Sequence, residues 1–492
     1  MLTWLMSLTA EGARRRAEAR LRAHAWPRPL KLALARLAAD GHAAWLVGGS
    51  VRDVLLGRAH APTRPVRWDV ASDRTPDEVR AVFPRVEGVG ERHGTVLVLW
   101  EGVEGEGVEG EDVEGEDVVE LEVTTFRREG EYSDVRRPDQ VWFTRDVLED
   151  LARRDLTVNA LAYSIADGRL LDPHGGARDI LRRTLRAVGD PLARFREDAL
   201  RPLRVARLAA VLEMDPDEDT HAALAGVNDR VGALAIERVR AELELLMGAP
   251  RPSRGLEILR EAGLLARWLP ELAACRGVPQ NRFHAYDVYF HSLYSCDAAS
   301  PEKPEVRWAA LLHDIGKPGT RVERAGEGTF HGHAELGAKL ADARFAALRF
   351  PNEARARIVH LIREHMFDFQ ATWSDAAVRR FIRRVGVENV ADLFDLRLAD
   401  ALGNGTRGPD TRRLEAMAKR IERVLGESSA LSVHQLAVDG DDVMRTLGLP
   451  PGPEVGRVLT ALLEQVIEQP GLNTRPALLQ RLDGMRAERG IA

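Results

Sequence analysis

Residues 43–53 read AAWLVGGSVRD, and VLLG continues the line to residue 57. The apolar run Ala43–Val47 predicts a buried strand, Gly48-Gly49 stop it, and the segment after them resumes as a helix. Two glycines let a backbone come close to a phosphate, and the following helix start offers free N–H groups. Such a turn equally suits a plain strand-to-helix corner, so its weight comes from what surrounds it. Upstream, residues 28–40 read as a helix. Downstream, 66–72 read as a second strand, and TPDEVRAVF as a helix capped by Thr75. TVLVLW and DVVELEVTTF, rich in β-branched residues, predict two more strands. From about residue 150 the pattern is almost entirely helical, broken at LLDPHGG, RFPNEA, LGNGTRGPD and LGLPPGPE. The expected class is α+β, with a small α/β head followed by an all-α body. The expected domains are a helical extension (1–27), the head (28–190), a helical neck (191–275), a third domain (276–405) and a helical tail (406–492).

The chain has 492 residues and a net charge of −6. That charge is dominated by one tract. Residues 101–117, EGVEGEGVEGEDVEGED, carry nine acids and no base, so the remainder sums to −6 + 9 = +3. The tract has no core-forming pattern and reads as a disordered insertion between two strands. Residues 176–210 hold nine arginines against four acids, which suits a polyanionic partner as well as a solvated helix face. The two cysteines, Cys275 and Cys296, form no CxxC pair and fit free thiols in a reducing cytoplasm. No stretch approaches the roughly 20 apolar residues that cross a bilayer, and the arginines follow the apolar start MLTWLMSLTA instead of preceding it, unlike a signal peptide. No membrane partner is expected.

An ordered series of motifs follows GGSVRD. It runs WDVAS (68–72), TPDEV (75–79), GERHGTV (90–96), EVTTFR (122–127), YSDVRRPDQVWF (132–143), EDLARRDLTVNALAY (149–163), LLDPHGGARDI (170–180) and RFREDALRPLRVARLAA (194–210). Over roughly residues 28–250 this series resembles the class II tRNA nucleotidyltransferase and bacterial poly(A) polymerase family. The resemblance implies addition of C and A to the 3′ end of tRNA from CTP and ATP, with Mg²⁺ held by carboxylates in the head. It makes Asp69 and Glu122 catalytic metal-holding residues, with Gly48, Gly49 and Arg52 at the nucleotide. Arg154, Asp155 and Asn159, on a helix, would contact triphosphate and ribose. Asp198 and Arg201, three apart and so side by side on a helix, would match the base edge, and Arg204 and Arg207 would hold phosphates on the same face. Arg127 and Arg137 are weaker candidates. One position departs from the pattern. Where the family has an Asp-x-Asp pair, this chain reads Arg67-Trp68-Asp69, and an arginine does not ligate a metal. Three readings stay open: Asp73 substitutes, Arg67 points away from a weakened site, or transfer is lost and the head is an RNA-binding scaffold.

A second constellation lies further on. FHAYDVYFHSLYS supplies His291, LLHDIGKP supplies His313, Asp314 and Lys317, and RLAD supplies Asp400. The order His…His-Asp…Asp resembles the HD phosphohydrolase superfamily. Imidazoles and carboxylates without a thiolate suit Mg²⁺, Mn²⁺, Ni²⁺ or iron, and a metal-activated water would attack a phosphoester. Lys317 is a candidate phosphate holder. His333, His360 and His365 are candidate ligands of a second metal, and His331 is read as structural. Residues 431–470 also resemble the HD-fused tRNA nucleotidyltransferases, with a Gly-Pro loop that could meet an RNA backbone. The alternatives are a hydrolase active only in the HD domain with a degenerate head, a poly(A) polymerase, and a non-catalytic RNA-binding protein.

Overall fold

The structure is a computed structural model that describes residues 9–58, 67–90, 94–100, 118–130, 140–280, 284–324, 327–367, 370, 372–406, 411–427 and 430–488. The acidic tract 101–117, the chain start and Arg137 lie outside the described residues. The chain divides into two compact units, Met1–Trp268 and Leu269–Ala492.

The first unit is built on a seven-stranded mixed sheet in the order β3-β4-β5-β2-β1-β8-β9. Its strands are β1 (Ala44–Val47), β2 (Arg67–Ser72), β3 (Val86–Gly90), β4 (Thr95–Trp100), β5 (Val119–Thr125), β8 (Ala162–Ser164) and β9 (Arg169–Leu171). A separate hairpin pairs β6 (Arg127–Glu129) with β7 (Val141–Phe143). The parallel pair β2–β5 lies at the centre of the sheet, with Asp69 opposite Glu122 and Arg67 opposite Glu120. Strands alternate faces, so these four side chains share one face, next to the core patch of Trp45, Val47, Ala71, Phe126 and Leu151. The opposite face buries Trp68 against Trp26, which also stacks on Tyr163.

The expected strands at 43–47 and 66–72 and the Thr75-capped helix are present. Thr75 and Glu78 form a capping box at the start of Pro76–Val82. The reading of an almost wholly helical chain after residue 150 is corrected by β8 and β9. These strands are three residues long, too short to leave a period in the sequence. The helix Ala10–Arg22 packs on the head. Its Glu18 accepts the Leu170 N–H at 3.1 Å, while Arg14 donates to the Leu170 carbonyl at 3.5 Å and Arg22 to that of Gly168 at 2.7 Å. After the sheet, in chain order, come the helices Pro191–Glu197, Arg201–Leu212, Ile236–Met247 and Pro252–Glu261.

The second unit is helical, apart from the short hairpin Val322–Arg324 with Glu327–Thr329. Five helices, Val288–Ala298, Pro304–Leu312, His333–Ala347, Asn352–Glu364 and Val387–Gly403, surround its polar centre. Trp308, Phe345 and Phe350 pack edge to face beside them at 4.7–5.5 Å. A C-terminal cluster gathers Val443, Leu462, Leu463, Val466, Leu478 and Leu482 from three helices. Among the described residues, no helix is long and apolar enough to cross a membrane.

Candidate active site and metal centre

The turn between β1 and the helix Gly48–Leu56 is shaped around Asp69. Gly48 has φ +60°, and a Cβ there would meet Arg154 at 3.1 Å and the Asp69 carboxylate at 3.2 Å. Gly49 donates its N–H to Asp69 Oδ2 at 3.1 Å, and Ser50 Oγ accepts the Asp69 N–H at 2.7 Å. Burial raises the Asp69 carboxyl, against the pull of Arg154 and the Gly49 N–H. Burial likewise raises Glu122, and the nearby Asp69 charge adds to it. Two carboxylates that repel each other beside a glycine turn suit a cation, so the donor set fits a divalent metal.

Arg67 lies on that same face. Its Nε is 3.4 Å from Glu120 and its Nη1 3.5 Å from Glu122. It therefore does not point away from the site. Asp73 does not substitute either, since its Oδ1 takes the Ala43 N–H at 2.8 Å and faces His42 Nδ1 at 3.0 Å. Glu120 escaped the sequence reading, although Glu120-Leu121-Glu122 has the two-residue spacing that puts both carboxylates on one face.

Arg52, Asn159, Asp155 and Arg204 form one polar line. Arg52 donates to Asn159 Oδ1 at 2.6 Å, Asn159 Nδ2 donates to Asp155 Oδ1 at 3.1 Å, and Arg204 Nε donates to Asp155 Oδ2 at 2.9 Å. Burial opposes the Asp155 charge, but Arg204 and the Asn159 amide outweigh it and hold the carboxyl below its ordinary range. The expected helix through Arg154, Asp155 and Asn159 is instead a turn followed by the 3₁₀ segment Thr157–Asn159. Arg207 pairs with Glu242 at 2.6 Å, and Arg127 with Glu129 at 2.8 Å.

The pairing of Asp198 with Arg201 on one helix is overturned. The first helix ends at Glu197, Asp198 is extended at φ −133° and ψ 107°, and a new helix begins at Arg201. Pro202 is the cause: it has no N–H for the Asp198 carbonyl four residues back, and its ring clashes there. The Asp198 carbonyl takes the Arg201 N–H instead, at 3.0 Å. The Asp198 carboxylate pairs with Arg238 at 2.8 Å, and Arg201 pairs with Glu197.

In the second unit two buried triads share Asp314: His291–His313–Asp314 and Asp314–His333–His365. Asp314 Oδ2 is 3.2 Å from His313 Nε2 and 3.5 Å from His291 Nε2, and its Oδ1 is 3.3 Å from His333 Nε2. Asp400 closes the first triad, 3.1 Å from His291. His313, His333 and His365 each set Nδ1 2.7–2.8 Å from a backbone carbonyl three residues earlier. A carbonyl only accepts, so Nδ1 carries the proton and Nε2 turns its lone pair inward, the orientation metal-binding imidazoles need. Buried Nε2 atoms sit as close as 3.2 Å to one another, His291 to His313 and His333 to His365. Buried lone pairs facing each other fit a cation between them. Burial pushes His365 down to about 3, with His313 adding to it. Burial also opposes the Asp314 charge, but His313 and Lys317 hold that carboxyl well below the usual range.

His360 does not join the cluster. Its Nε2 reaches the Val385 carbonyl at 2.7 Å. Five residues of helix turn the chain by about 140° beyond a full turn, so His360 and His365 cannot face one centre. His331 is exposed on the rim. A cavity of about 680 Å³ opens over the triads, lined among others by His284, Lys317, Arg397 and Asp400. Lys317 Nζ stands 2.6 Å from Asp314, and Arg397 2.7 Å from Asp400. His284, which the sequence reading missed, is pushed down to about 4 by burial, then by Lys317 and His291.

Residues 44–186 match the poly A polymerase head domain, 213–276 the probable RNA and SrmB-binding site of polymerase A, and 283–405 the HD domain. The CCA-adding enzyme of Geobacillus stearothermophilus is 32% identical over 88% of this chain and 90% of its own length. The chain belongs to the CCA-adding tRNA nucleotidyltransferase family. It is an enzyme of the nucleotidyltransferase class, with an HD domain in its second unit. The A-adding tRNA nucleotidyltransferase of Deinococcus radiodurans is 39% identical over 64% of this chain and 74% of its own length. Among solved structures, the Bacillus stearothermophilus CCA-adding enzyme in complex with CTP superposes with a TM-score of 0.68 at 27% identity, covering 94% of this chain and 98% of that one. Members of this family and HD domains use divalent metals, in keeping with the two donor sets.

Proposed function

We propose that the first unit adds C and A to the 3′ end of tRNA from CTP and ATP, releasing pyrophosphate, and that the second unit hydrolyses a phosphoester. The observation that carries the first part is the meeting of Asp69, opposite Glu122, with the Gly48-Gly49 turn. In this reading Asp69 and Glu122 hold Mg²⁺, which when bound supplies charge neutralisation for the leaving pyrophosphate. Gly48 and Gly49 keep the space beside Asp69 clear of side chains. Arg154, against that turn, offers positive charge to the phosphates, while Asp155 keeps Asn159 and Arg204 in place. The test is incorporation of labelled CTP and ATP into a tRNA transcript lacking its CCA end. Incorporation that vanishes with Asp69→Asn is expected, and none at any Mg²⁺ or Mn²⁺ concentration refutes the reading. The order of nucleotides incorporated separates a CCA product from a single A or a poly(A) tail.

The second part rests on the tautomers fixed at His313, His333 and His365. His291, His313, Asp314 and Asp400 would hold one ion, and Asp314, His333 and His365 a second, of Mg²⁺, Mn²⁺ or Ni²⁺, giving a water nucleophile at neutral pH. Lys317 and Arg397, which line the cavity, would meet a phosphate there. Metal-dependent phosphodiesterase activity on a cyclic or terminal phosphate is expected, and its survival in Asp314→Ala would rule the centre out. Arg67 favours one competing reading, in which the head only binds RNA and the HD centre alone is active. Asp314-dependent hydrolysis without any nucleotide incorporation is its signature.

A further inference from the structure

The head keeps a nucleotidyltransferase site while carrying an arginine where its family has a metal-holding carboxylate. We propose that Glu120 takes over that duty, so that Asp69, Glu122 and Glu120 hold the metal, and that Arg67 is a displaceable counter-ion lying between the two glutamates. The inference rests on the assignment of the head as a nucleotidyltransferase.

The register makes the exchange possible. Arg67 stands directly opposite Glu120 on the neighbouring parallel strand, as Asp69 stands opposite Glu122. Neighbouring strands lie about 4.8 Å apart. Loss of a carboxylate at position 67 is therefore matched by a carboxylate one strand across, on the same face and on a side chain one methylene longer than aspartate. The alternation in β5 supports this: Val119, Leu121, Val123 and Thr125 are buried, while Glu120 and Glu122 are part-exposed on the open face. No other partner than Arg67 appears for Glu120 among the described residues.

Arg67 itself is held loosely. Its contacts at 3.4 and 3.5 Å are long, and its side chain is 48% exposed. Such a pair is worth little in water, so a divalent ion held by three carboxylates displaces it without a large penalty. The guanidinium then remains within reach of the site as a positive charge beside the nucleotide phosphates.

The test is Mn²⁺ binding, read by water-proton relaxation with CTP present and no RNA. It uses the full chain carrying Asp314→Asn, so that the HD centre contributes little, with Asp69→Asn setting the background. Glu120→Gln is expected to weaken the Asp69-dependent binding by about tenfold or more, and Arg67→Asp placed in the Glu120→Gln chain is expected to restore it to within about threefold. Restoration is what a purely structural role for Glu120 would not give. If Asp69→Asn abolishes Mn²⁺ binding but Glu120→Gln does not alter it, the inference fails and the head assignment stands. If Glu120→Gln weakens binding and Arg67→Asp does not restore it, Glu120 is only a tether for Arg67, and the inference fails again. If neither Asp69→Asn nor Glu120→Gln changes binding, the inference and the head assignment fall together.

Discussion

Gly316→Ala tests how the HD centre is assembled. Gly316 follows the His313-Asp314 doublet and lies against the helix His333–Ala347. A Cβ on it would lie 2.1 Å from the His333 carbonyl oxygen and 2.7 Å from the Gly337 nitrogen. Comfortable contact needs about 3.5 Å, and both obstacles are backbone, so neither can swing aside. The doublet and the helix must separate by about 1 Å or more. That movement pulls His333 Nε2 from Asp314 Oδ1, now 3.3 Å apart. Overpacking of this kind costs about 1–3 kcal/mol, and for a domain of roughly 200 residues each kcal/mol lowers Tm by about 2–4 °C. The expected fall is thus on the order of 5 °C. Thermal unfolding and elemental metal analysis should show it together with loss of the ion held by His333 and His365. Gly426→Ala, with nothing within 4 Å of the added carbon, is the control. A Gly316→Ala protein with unchanged Tm and full metal content would refute the claim that backbone contact sets the metal geometry.

Two further outcomes are expected. His360→Ala should leave the metal content unaltered, because its Nε2 is occupied by the Val385 carbonyl, and should cost about 1 kcal/mol of stability; loss of an ion on elemental analysis would return His360 to the ligand set. Asp155→Asn should destabilise the first unit by about 2 kcal/mol at pH 7, below the value for a wholly buried pair because Arg204 retains solvent access. The folded Asp155 carboxyl titrates below its ordinary range, so its contribution is complete above about pH 4 and fades as pH falls through the lowered value. Denaturant unfolding of both proteins should give a gap that narrows only under acid conditions, and a gap that widens there would contradict the assignment.

Part of each unit's centre was legible because a contiguous pair marks it. Gly48-Gly49 and His313-Asp314 mark turns whose neighbours are fixed by local geometry, and Thr75 with Glu78 names its own helix start. What was hidden depends on pairing across the chain. The strands Ala162–Ser164 and Arg169–Leu171 are too short for a period, and although spacing alone puts Glu120 on the face of Glu122, its place opposite Arg67 comes from the register. Two misreadings had a signal in the sequence. Pro202 lies four residues after Asp198 and forbids the helix that would have paired Asp198 with Arg201. The five-residue gap from His360 to His365 places them on different sides of their helix.

The helix Ala10–Arg22 has a further consequence for the border of the sheet. At Leu170, in the outermost strand on that side, and at Gly168 just before it, Glu18, Arg14 and Arg22 engage main-chain groups that an added strand would otherwise use. Side chains here act as a selvedge. A chain lacking its first 22 residues would bare an adhesive rim, and self-association through that rim, not loss of chemistry, is the first defect such a shortened protein should display.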